Sequence, residues 1–248
     1  MPDFDSAGVR IHFELHGPDD GDPVVLVHGF ASHYHLNWVG SRWQEALVHA
    51  GRLVIGMDCR GHGRSDKPHD PAAYGRGEMA EDVARLLGHL GIERSDYVGY
   101  SMGSWIGLLL LLRHGDLVGR AVLGGIGQLR TFSSSQAIAD RFRGDQSVSS
   151  PVVDAFWEFA SSQPHNDLEA LAACMESPQK RPEPGELSRI QNPVLVVVGE
   201  EDRIAPHPEE LVALLPNARL EVIPGRNHFN ITPARAFKEA ALAFLEET

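Results

Sequence analysis

The hydrophobic positions change character early in the chain, from alternation to unbroken runs. Val9-Arg10-Ile11-His12-Phe13-Glu14-Leu15-His16 alternates apolar and polar residues, which predicts a strand with one wet face at an antiparallel sheet edge. Pro23-Val24-Val25-Leu26-Val27 is continuous, the mark of a strand covered on both faces. Similar runs lie at 53–57, 97–100, 121–123 and 194–198, and a last strand is expected at 220–223. Helical periodicity occupies 78–90, 104–114, 208–215 and 234–246. Strand and helix in alternation predict a mainly parallel α/β sheet with helices on both faces.

The alternation stops between Ile126 and Asn192. This stretch has no buried-strand run, several Ser and Pro clusters, and short helical patterns at 152–160 and 167–175. A structureless loop of that length is unusual in a compact domain, so a small helical insertion is expected. The predicted organisation is a core of 1–125 and 193–248 carrying a cap or lid at 126–192.

Composition narrows the function classes. With 34 acidic against 22 basic side chains, the formal charge is −12; no basic cluster offsets it, so a nucleic-acid partner is not expected. The longest apolar run, 106–112, is too short to span a bilayer, and no membrane partner is expected. Two cysteines, Cys59 and Cys174, are too few for a secreted disulfide scaffold. Neither stands in an activating motif, and both are read as small buried side chains. No signal-peptide pattern opens the chain, and a cytoplasmic location is expected.

The strongest chemical signal is Gly99-Tyr100-Ser101-Met102-Gly103, between an apolar strand and a helical pattern. A serine on such a turn projects from the end of the sheet, and the flanking glycines relieve crowding. The helix N-terminus beneath it favours developing negative charge. A serine nucleophile needs a base and the base needs an orienting acid. His228 follows the last predicted strand, and Asp202 follows the 194–198 strand; C-terminal strand ends are where parallel sheets build their sites. Glu200 and Glu201 are rival acids. His207, between two prolines, is rejected as the base. Acyl transfer also needs two N–H donors for the oxyanion; the backbone N–H groups of Phe30, in His28-Gly29-Phe30, and of Met102 are the candidates. Tyr100 and Phe229, beside nucleophile and base, are expected substrate contacts, as are Phe156 and Trp157 in the insertion. Phe132, Phe142 and Phe159 add further rings there. Arg130, Arg141 and Arg143 admit two readings, contacts for a substrate carboxylate or a solvated face, and the solvated face is preferred. His33 and His35 lack zinc-ligand spacing and are read as polar residues in a pocket-rim loop. No metal and no cofactor are expected, since Gly61-x-Gly63 lacks the third glycine of a dinucleotide fingerprint.

His28-Gly29-Phe30, the segment from Asp58 to Asp66, Gly99 to Gly103, Gly199 to Asp202 and Asn227-His228-Phe229 together resemble the α/β-hydrolase superfamily. The resemblance implies an α/β-hydrolase fold with a mostly parallel central sheet of about eight strands. Epoxide hydrolases and haloalkane dehalogenases share several of these motifs with an aspartate nucleophile; Ser101 places the resemblance with the serine esterase and lactonase-like branch. It implies a serine hydrolase, carboxylesterase-like, cleaving a small ester, lactone or related acyl substrate through an acyl-enzyme. Two alternatives stay open: a carbon–carbon bond hydrolase of a dicarbonyl metabolite, and a ligand-sensing receptor on a hydrolase scaffold. The sequence leaves the oligomeric state open.

Overall fold

The computed structural model describes residues 2–129, 134–178 and 181–247. Eight strands form one sheet: β1 (Asp3–Ser6), β2 (Val9–His16), β3 (Pro23–Val27), β4 (Leu53–Met57), β5 (Ser95–Tyr100), β6 (Val118–Gly124), β7 (Val194–Gly199) and β8 (Ala218–Ile223). Their spatial order is β1-β2-β4-β3-β5-β6-β7-β8. β1 and β2 run antiparallel, and every pairing from β4 to β8 is parallel. The fold is therefore the α/β-hydrolase architecture expected.

Two expectations at the N-terminal edge need correction. The edge is β1, which the pattern did not reveal; β2 lies one strand in. β1 has only four residues and one large apolar side chain, Phe4. Its second inward position is Ser6, buried because its hydroxyl donates to Asp82 Oδ1 at 2.5 Å. Along β2 the alternation of polarity is not an alternation of burial. His12 is buried between Asp3 and Ser65, while Leu15 is exposed.

The helices are α1 (Trp43–His49), α2 (Arg76–His89), α3 (Met102–His114), α4 (Ser135–Phe142), α5 (Pro151–Ser161), α6 (Leu168–Glu176), α7 (Pro184–Leu187), α8 (Pro208–Val212) and α9 (Arg235–Leu245). A π-helical turn spans His35–Val39. α2 and α3 cover one sheet face together with residues of α4, α5 and α6. α1 and α9 cover the other, where Trp43 packs edge-on against Trp38 and Phe237. The sequence pattern anticipates none of α1, α4 and α7.

α4 to α7 fill the interval between β6 and β7. α5 starts where its pattern predicts: Ser150 Oγ accepts the Val153 N–H and Pro151 occupies the first turn. Asp167 caps α6 by accepting from Glu169 and Ala170. Arg130 and Phe132 lie outside the described residues. Among the described residues no helix is long and apolar enough to cross a membrane.

Candidate active site

The parallel strands end on one edge, and the site assembles there. β5 runs into α3 through Ser101, whose φ of 51° and ψ of −108° lie where side-chain-bearing residues are strained. The chain tolerates this because its flanks are glycine. A Cβ on Gly103 would meet the Val27 carbonyl oxygen at 2.1 Å, and one on Gly99 would meet the Gly103 backbone at 2.6 Å. α3 thus starts hard against the end of β3 and holds the serine clear of the sheet.

The loop after β8 brings His228 over this serine, and the loop after β7 brings Asp202 behind the histidine. His228 Nε2 is 2.9 Å from Ser101 Oγ, and His228 Nδ1 is 2.8 Å from Asp202 Oδ2. A carboxylate can only accept, so Nδ1 carries the proton and Nε2 is left to accept from the serine hydroxyl. Asp202 Oδ1 also accepts the N–H groups of Ile204 and Ala205, at 2.9 and 3.0 Å. Burial by itself would raise the Asp202 pKa. The hydrogen bond and charge of His228, with those two N–H groups, outweigh it and hold the carboxyl below its ordinary value. Glu200 and Glu201 are exposed, and Glu200 instead accepts the Gly225 N–H. Of the three carboxylates, only Asp202 meets the histidine.

The loop after β3 is pinned at Gly29 from both sides. His28 Nδ1 donates to the Gly29 carbonyl at 2.7 Å while its Nε2 accepts the Cys59 N–H at 3.0 Å. The Gly29 N–H donates to Asn37 Oδ1 at 3.1 Å. Burial pushes the His28 pKa down to about 4, so the ring is neutral at pH 7. In a trans peptide the carbonyl and the next N–H point opposite ways. Fixing the Gly29 carbonyl on His28 therefore aims the Phe30 N–H away from that ring. Neither the Phe30 nor the Met102 N–H is bonded to another group among the described residues.

Two cavities meet at Ser101, with Phe30 and Phe156 lining both. The first, about 300 Å³, is bounded by Met79, Met102, Trp105, Val152 and Cys174, with Gln128, Arg181 and Arg203 as its long polar side chains. The second, about 310 Å³, holds His228, Tyr100, Phe159, Phe229 and Asn37.

The expected substrate contacts divide. Phe156 and Phe229 reach the cavities. Tyr100 lines the second, but its hydroxyl is spent on the His228 carbonyl, so it braces the histidine. Trp157 lines neither cavity. One residue along a helix turns about 100°, which sends it under Arg141 and against Phe142. Phe142 instead stacks on Phe30. His33 and His35 belong to a loop whose Ser32, Leu36 and Asn37 line the second cavity, but neither histidine lines either cavity itself, and His35 Nε2 lies 2.8 Å from Glu14 Oε1. Sequence reasoning missed Asn37, Trp105, Gln128, Arg181 and Arg203, which stand outside any motif. Among the described residues no three His, Cys, Asp or Glu side chains gather as metal ligands.

The model of the alpha/beta hydrolase fold family matches residues 22–147, half of the chain. The chain belongs to that family. Within it, the chain is 28% identical over 268 residues to a 2-hydroxymuconate semialdehyde hydrolase of Pseudomonas putida, covering 98% of this chain and 92% of that one. Over 116 residues it is 38% identical to a Variovorax paradoxus (strain S110) protein named for carbamate hydrolysis; the match spans 46% of this chain and 41% of that protein. The enol-lactonase of Burkholderia xenovorans LB400 superposes with a TM-score of 0.83 at 25% identity, covering 99% of this chain and all of that one. The protein is a hydrolase of the alpha/beta fold family.

Proposed function

We propose that this hydrolase is a serine enzyme that cleaves a small ester, lactone or related acyl compound through an acyl-enzyme on Ser101. The observation that carries the reading is the continuous relay of Ser101, His228 and Asp202, placed where two cavities meet. His228 takes the serine proton as the oxygen attacks the acyl carbon, and Asp202 stabilises the imidazolium. The N–H groups of Phe30 and Met102 receive the oxyanion. His228 then gives the proton to the leaving oxygen, and a water attacks the acyl-enzyme with the same histidine as base.

The relay also assigns the cavities. The leaving oxygen must lie beside the group that protonates it, so the leaving group takes the second cavity, which His228 lines. The acyl chain takes the first. Residues 126–192 act as a lid: Phe156 from α5 closes over the nucleophile against Phe30 and Phe229. The size of the first cavity favours short acyl chains over long fatty ones. Labelling with a fluorophosphonate, then a panel of p-nitrophenyl esters of rising chain length and of lactones, tests this. Adduct on Ser101 and highest kcat/KM on short acyl groups are expected; an optimum at long chains or activation at an oil–water interface refutes the lid assignment.

Likeness to the semialdehyde hydrolase over nearly the whole chain favours one second reading, cleavage of a carbon–carbon bond in a dicarbonyl compound. The same relay serves it. Carbon–carbon cleavage of a dicarbonyl compound with no activity on esters would select it.

A further inference from the structure

One guanidinium on the wall of the first cavity, Arg181, has no carboxylate paired with it among the described residues. Among the described residues the cavity lining contains Arg181 and Arg203 and no Asp or Glu. Arg181 is half-buried, with its guanidinium carbon 4.3 Å above the Trp105 ring. Its only hydrogen bond among the described residues is a long one, 3.5 Å, to the Gln128 carbonyl oxygen. Burial alone acts on its pKa, pulling it below the usual arginine value, and no carboxylate pushes back. Arginine keeps its charge at neutral pH even so.

Arg60 shows what this chain does with a buried guanidinium that has only a structural task. Arg60 donates twice to Asp82, at 2.7 and 2.6 Å, and again to the Ala73 carbonyl at 2.6 Å. A desolvated charge is costly unless paired. Arg181 is held by stacking on an aromatic face, which fixes its plane and, apart from the long bond to Gln128, leaves its donors unspent among the described residues. The Gln128 amide on the same wall has a buried Oε1 with no hydrogen-bond partner among the described residues.

We propose that Arg181 is a specificity-determining residue: the acyl half of the substrate ends in a carboxylate, which Arg181 receives while the ester or lactone carbonyl lies at Ser101. The inference rests on the acyl-transfer reading and names its substrate class, half-esters and lactones of dicarboxylic acids. Water adds across the acyl C–O bond, giving an alcohol and a dicarboxylate, or from a lactone a hydroxy dicarboxylate. A planar carboxylate matches the guanidinium fork with two parallel hydrogen bonds.

The test compares mono-4-nitrophenyl adipate with 4-nitrophenyl hexanoate, which share leaving group and chain length and differ in the terminal charge. The readout is the ratio of their kcat/KM values, so effects on the common chemistry cancel. Wild type should prefer the adipate by about tenfold or more, the scale of a charge-assisted pair. Arg181→Met should abolish the preference, and Arg181→Lys should keep part of it. Binding of adipate to the Ser101→Ala protein, by calorimetry, gives a measurement that needs no turnover; it should weaken about tenfold on adding Arg181→Met. A wild-type ratio near one, or a ratio unchanged by Arg181→Met, overturns the inference and leaves the esterase reading standing. Adipate binding that depends on Arg181, in a protein that turns over neither ester, sinks the esterase reading and keeps the anion subsite.

Discussion

Asp202→Asn isolates what the carboxylate does, because the surrounding backbone dictates how the new amide must lie. Asp202 Oδ1 accepts two N–H groups, from Ile204 and Ala205. An asparagine must keep its carbonyl oxygen there, since turning the amide over would set its NH₂ against two donors. The NH₂ then occupies the Oδ2 position, 2.8 Å from His228 Nδ1. Nδ1 must now accept, the ring proton moves to Nε2, and Nε2 points a proton at Ser101 Oγ instead of a lone pair. The base is in place in the wrong tautomer. The expected loss in kcat is about 10³–10⁴-fold, or roughly 4–5.5 kcal/mol of barrier. The fold should be nearly untouched, because the two N–H bonds survive. The assay is p-nitrophenyl butyrate hydrolysis and the rate of fluorophosphonate labelling, with urea unfolding as the control. Retention of more than about a tenth of wild-type kcat by a folded Asp202→Asn protein would refute the argument, as would a larger loss in Glu200→Gln or Glu201→Gln.

Ser101→Ala should keep the melting temperature within a few degrees and cut kcat by about 10⁴-fold or more, checked with the ester panel; removing the hydroxyl also relieves nothing at the strained backbone, so no large stabilisation is expected. Gly103→Ala must displace α3 from the Val27 carbonyl, since its Cβ would lie 2.1 Å from that oxygen; a loss of about 1–3 kcal/mol in urea unfolding and about 10²-fold in kcat should follow together. Phe237→Ala, fully buried against Trp43, should cost about 3–5 kcal/mol with kcat of the folded fraction near wild type. Glu14 is held down to about 2 against the opposing effect of burial, by hydrogen bonds from His35, His16 and His12. A depressed carboxyl contributes stability above its unfolded pKa and loses it as pH falls through its folded value. Glu14→Gln should therefore lower Tm by about 2–4 °C near pH 6, with the difference vanishing toward pH 2 in a thermal-melt series.

The runs that determined the central strands could be read in one dimension because strands buried on both faces admit only apolar residues. The same holds for the elbow around Ser101, where local sterics require glycine at fixed offsets. Chain order and strand ends were enough to bring Ser101, Asp202 and His228 forward as one set, since each sits at the C-terminal end of a parallel strand. What the chain could not declare locally was decided by packing. β1 is a strand because β2 offers it an edge, and Ser6 is buried because Asp82 bonds it. His35 belongs to Glu14 across 21 positions, not to the pocket it borders in sequence. Trp157 looked as good a substrate contact as Phe156, yet helix rotation turns it away. Arg181, set in a Pro-rich stretch with the composition of a loop, gained its chemistry only when folding laid it over Trp105 and left it without a carboxylate. Periodicity records which face a residue shows to the core; which distant partner it meets there depends on the whole assembly, because unpaired charge and buried polar atoms are resolved only in three dimensions.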